Sequence, residues 1–183
     1  MSQTIAFVLL CGVLLIAGAT DWCRGKVYNW LTYPAIAVGL LYWTIAGLLG
    51  AEPGFVAALI GTLAGFVPFT AIYLAGGLGG GDVKLMTAVG ALSASWACVL
   101  STTVYALLAA VAMAVVVMIR HGLVRRTLSR LFGAALQAAG RVSPTFPSDS
   151  PRIPFSTAIA LGGILAGGEQ LLGWQTPWRW LAP

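Results

Sequence analysis

Long apolar runs separated by short polar turns dominate this chain. They cover roughly residues 4–20, 30–49, 54–75, 96–119 and 153–174. A shorter run starts at a glycine-rich break, "GGLGGG" at 76–81, and ends near residue 95. An α-helix needs about 20 apolar residues to cross the hydrocarbon core, so the pattern predicts about six transmembrane helices, the fourth of them short. The longest polar interval, 120–152, has two parts. Within 122–138, Val124, Leu128, Leu131, Phe132 and Ala135 share one helical face, and Arg125, Arg126, Ser129 and Arg130 share the other. That predicts a basic amphipathic helix lying on the membrane surface. The stretch "GRVSPTFPSDSP" then reads as a turn-rich connector. The expected fold class is all-α: one polytopic transmembrane domain over residues 1–183, with an interfacial helix in the 120–152 loop.

Composition agrees. The chain is 59% hydrophobic and 8% charged, against about 25% charged in soluble domains. Its mean hydropathy is +0.91. Ten basic residues against five acids give a net charge of +5. In a membrane protein that excess reports orientation, so it is not read as nucleic-acid binding. With the N-terminus outside, the loops at 21–29, 76–84 and 120–152 face the cytoplasm. They hold Arg24, Lys26, Lys84, Arg120, Arg125, Arg126, Arg130, Arg141 and Arg152, leaving Arg179 outside. The first run lacks the basic start of a signal peptide, and its first charge, Asp21, sits at the far end. Cys11, Cys23 and Cys98 form no CxxC pair, and His121 has no Cys or carboxylate close in sequence. Neither suggests a metal site.

Five acids can be weighed one at a time. Glu52 lies in the turn "GAEPG", and Asp149 in the connector. Glu169 lies late in the last run, near the outer boundary, where it can reach water. Asp21 ends the first run and Asp82 begins the fourth, so the topology brings both to the same face. Asp82 suits a helix N-terminus. Asp21 follows a helix C-terminus, where the dipole disfavours an anion. Two carboxylates in close approach share a proton, one activating water and the other donating to a scissile carbonyl or leaving amine. Such chemistry needs water at membrane depth and closely approachable backbone. The five glycines at 76–81 supply it, since non-helical backbone is tolerated where it lines a wet cavity.

These residues resemble a known family. Gly79-Gly80-Gly81-Asp82 looks like the GxGD motif of intramembrane aspartyl proteases. With Val83-Lys84-Leu85 it resembles the GxGDxKL pattern of type IV prepilin peptidases. In "DWCRGKVYNWLTYP", Asp21, Asn29, Leu31 and Thr32 fit that family's first motif, while Tyr28 stands where it usually has Pro. A weaker likeness lies at Ile153-Pro154-Phe155. The resemblance implies an aspartic endopeptidase of the bacterial inner membrane, its active site facing the cytoplasm. Its substrates would be prepilins or pseudopilins, with membrane lipid and pilus or secretion machinery as neighbours. It implies Asp21 and Asp82 as the catalytic pair. Gly79, Gly81, Lys84 and Asn29 are the supporting candidates, Lys84 either holding a substrate carboxylate or packing, Asn29 bonding backbone near Asp21. The methylating members carry paired CxxC motifs in an N-terminal extension, absent from this sequence, so neither methyl transfer nor zinc nor any other cofactor is expected. The compact form resembles the tight-adherence (Flp-type) pilus peptidases. Two other readings stay open: a small channel or transporter with paired acids as ion ligands, and a non-catalytic scaffold of a pilus or secretion machine.

Overall fold

The computed structural model describes residues 2–120 and 154–174. Among these are six helices: α1 (Ser2–Arg24), α2 (Asn29–Leu48), α3 (Gly54–Leu74), α4 (Gly80–Ser93), α5 (Trp96–Arg120) and α6 (Phe155–Leu172). No strand occurs among the described residues. Five of the helices are long and apolar enough to cross a membrane; α4 is not among them. The chain is therefore an all-α, multi-pass membrane protein. The expected interfacial helix at 120–152 lies outside the described residues. The chain divides into two compact units, Met1–Ala109 with Pro154–Pro183 and Ala110–Ile153. Of the second, the described part is the end of α5.

Helix α4 organises the first unit. It has 14 residues, a rise of about 21 Å, against a hydrocarbon core about 30 Å thick. Val83 and every residue from Leu85 to Ser93 are buried. Helices α1, α2, α3 and α6 all pack against it. Hydrophobicity alone does not drive such packing in lipid, where helices associate by close contact and hydrogen bonds. Glycine makes the contact close. A Cβ on Gly39 of α2 would lie 2.8 Å from the Ala91 carbonyl, and one on Gly61 of α3 2.5 Å from the Gly90 oxygen. The outward faces stay apolar, with Leu48 83% and Leu74 78% exposed. Soluble proteins avoid apolar surface on that scale; lipid accommodates it.

A buried short helix must satisfy its end carbonyls inside the protein. At the C-terminus of α4, the Trp43 indole N–H donates to the Leu92 oxygen at 2.9 Å. The Gln170 amide donates to the Ser93 oxygen at 3.1 Å. Ala94 then turns the chain through a left-handed conformation, φ 48°. The Ser95 hydroxyl oxygen accepts from the Cys98 N–H at 3.1 Å, capping α5. Helix α1 packs along α6 through Gly18, where an added Cβ would lie 3.0 Å from the Ala160 Cβ.

Candidate active site

Asp21 lies in the last turn of α1, which runs on to Arg24 before Gly25 (φ 62°) ends it. Its own carbonyl accepts the Gly25 N–H at 2.7 Å. Its side chain is buried, 9% exposed. An anion there faces the negative end of α1, an unfavourable place by itself. The compensation comes from another helix. The backbone N–H of Thr157, in the first turn of α6, donates to Asp21 Oδ2 at 3.3 Å. That N–H also reaches the Pro154 carbonyl at 3.2 Å, so Asp21 shares this donor at the start of α6.

Asp82 sits in the first turn of α4, where Gly79 occupies the N-cap position. The N–H of Gly79 faces the Asp82 carboxylate, the return arm of a capping box. Glycine gives the carboxylate room there: a Cβ on Gly79 would lie 3.1 Å from Asp82 Oδ2. The hydroxyl of Ser156 donates to Asp82 Oδ1. The two acids, from distant parts of the chain, thus rest on consecutive residues of one helical turn. Each carboxylate lies within electrostatic reach of the other.

The supporting candidates gather at the same end of the bundle. A Cβ on Gly81 would meet the Val27 side chain at 3.1 Å, so this glycine lets the 25–28 turn pack against the start of α4. The Lys84 ammonium donates to Asn29 Oδ1 at 2.8 Å and stands 5.1 Å from the centre of the Tyr33 ring. Asn29 therefore bonds Lys84, where a bond to backbone near Asp21 was expected, and the pair joins α2 to α4. Arg24 donates to the Tyr28 hydroxyl at 3.0 Å across the turn between α1 and α2.

Glu169 belongs to the opposite end of the bundle. It does not simply reach for water: the Tyr105 hydroxyl donates to its Oε1 at 2.5 Å. Its Oε2 is buried without a hydrogen-bond partner. Among the described residues no three His, Cys, Asp or Glu side chains cluster as metal ligands would.

Ser156 and Thr157 were not singled out from sequence. A signal was present: two hydroxyl residues follow directly after Pro154-Phe155, where a proline before an apolar run marks a helix start. Pro154 is the N-cap of α6, and its carbonyl accepts the Thr157 N–H at 3.2 Å. The Thr157 hydroxyl also donates to the Gly18 oxygen at 3.1 Å, fixing the start of α6 one turn before Asp21.

The fold and site together define a multi-pass helical membrane protein with two carboxylates converging at one end of its bundle. Within that class, the chain belongs to the type IV leader peptidase family, whose model matches residues 8–119. The family is one of membrane proteases acting on prepilin-type leaders. The match contains Asp21, Asn29, Gly79, Gly81, Asp82 and Lys84, and ends before Ser156 and Thr157. No curated protein and no solved structure matches the chain.

Proposed function

We propose that this chain is an aspartic endopeptidase cleaving the leader of prepilins or pseudopilins at the cytoplasmic face of the bacterial inner membrane, with Asp21 and Asp82 as its catalytic pair. The observation that carries this reading is the convergence of both carboxylates on Ser156 and Thr157. A plain structural role would not bring a second anion into reach of the first, since like charges in close approach raise the energy of the folded state. One carboxylate takes a proton from water as its oxygen attacks the scissile carbonyl carbon. The other gives its proton to the carbonyl oxygen; as the C–N bond breaks, the first passes the proton taken from water to the leaving nitrogen and the other recovers one from a hydroxyl of the gem-diol. The charge pattern of the loops supports a cytoplasmic site. The prepilin's apolar helix lies among the outer apolar faces, and its basic leader stays in the cytoplasm.

The test is coexpression of the full chain with a candidate prepilin, followed by the mobility of the pilin band. A shift to the mature size is expected with the native chain. Asp21→Asn and Asp82→Asn should each remain inserted and leave the prepilin uncut. Normal processing by either variant would remove the pair from the mechanism.

A further inference from the structure

We infer that Ser156 and Thr157, in the first turn of α6, are positioning residues that hold the two carboxylates in register for catalysis. This rests on the aspartic-peptidase reading and adds a third helix to it. The acids come from α1 and α4, and Asp82 is held at its own helix start only by the Gly79 N–H among the backbone groups named. The hydroxyl of Ser156 on Asp82 Oδ1 and the N–H of Thr157 on Asp21 Oδ2 hold both acids from adjacent positions of a single rigid turn. That turn is itself tied to α1 by the Thr157 hydroxyl on the Gly18 oxygen and by the close Gly18–Ala160 approach.

The two donors differ in a way that suits the chemistry. A backbone N–H can only donate, so it keeps one Asp21 oxygen as an acceptor throughout the cycle. A serine hydroxyl can donate or accept, so Ser156 keeps its bond to Asp82 before and after that carboxyl gains a proton. One carboxyl can thus change protonation while the geometry of the pair stays fixed. Misplacing a reacting group by about 1 Å costs about 10²-fold in rate.

The experiment measures kcat and KM on purified full-length protein in detergent with a prepilin substrate, together with its thermal unfolding temperature. Ser156→Ala is expected to lower kcat by about 10–100-fold with KM within about twofold. Ser156→Thr, which keeps a hydroxyl, is expected to restore kcat to within about threefold of the native chain. If Ser156→Ala does not fold, Ser156→Cys keeps the size, weakens the donor and reads the same loss of kcat. Native kcat in Ser156→Ala or Ser156→Cys would overturn the inference. So would an equal loss in the alanine and threonine variants, or a loss carried by KM. Full activity of Ser156→Ala beside an inactive Asp82→Asn would overturn the positioning role and leave the catalytic pair standing. Full activity of either aspartate variant would instead remove the underlying reading.

Discussion

The two ends of α4 solve the same problem in opposite ways. Each end is a helix terminus inside a membrane protein, with backbone groups that need partners. At the C-terminal end, Trp43 and Gln170 supply neutral donors to the Leu92 and Ser93 carbonyls. The nearby acid, Glu169, is answered on one oxygen by Tyr105. At the N-terminal end, the start of α4 carries its own anion, Asp82, and a second anion, Asp21, is brought in from α1. Ser156 and Thr157 then bind one carboxylate each. Asp82 sits at the start of α4 and Asp21 lies against the start of α6, and the two carboxylates lie within electrostatic reach of each other. The C-terminal end is closed with neutral groups, and the N-terminal end keeps two ionisable groups in reach of each other. Two ionisable groups kept at one end of a membrane bundle are the feature on which the proposed catalytic pair rests.

This contrast can be broken most directly by exchanging acids for amides at both ends. Asp21→Asn or Asp82→Asn is expected to lower prepilin cleavage by about 10²–10⁴-fold or more. Glu169→Gln keeps an oxygen for the Tyr105 hydroxyl and should cleave near the native rate, by the same mobility assay. Equal losses at the two ends would erase the distinction. The packing that holds both ends comes next in size. Gly61→Leu would drive a side chain into the Gly90 carbonyl and should destabilise the bundle by about 3 kcal/mol, the upper range for overpacking. Thermal unfolding in detergent measures this. Trp43→Phe leaves the buried Leu92 oxygen without its indole donor, a loss of about 1–3 kcal/mol. It should lower the unfolding temperature while kcat at the far end changes little. The smallest effect belongs to Lys84→Met, which removes the Asn29 bond and the Tyr33 ring contact. About 0.5–1 kcal/mol is expected for the ring contact at a partly exposed position. A loss of cleavage far beyond that stability change would assign Lys84 to substrate, which the clamp geometry does not require.

Much of this was legible along the chain because it depends on local chemistry. Apolar length fixed where helices run, since a segment such as 54–75 has no polar alternative to crossing lipid. The glycines before Asp82 and the residues after it announced the motif, and the alternation of spans put Asp21 on the same face. The short length of α4 was visible as a run that stops near 95. Its consequence was not: nothing local in "ALSAS" says that Trp43 and Gln170 will close its carbonyls. Lys84 and Asn29 were both singled out, yet their pairing depends on how α2 lies on α4. Ser156 and Thr157 read as two ordinary polar residues at a helix start. Their bonds to Asp82 and Asp21 exist because α6 returns to pack along α1 and beside α4.

The sequence by itself therefore determined the helices and the acids worth attention, because hydrophobic length and backbone glycine act over a few residues. Only the tertiary structure decided which groups answer those acids. A hydrogen bond between residues more than seventy positions apart, as between Ser156 and Asp82, is set by helix packing, and helix packing is a property of the whole bundle.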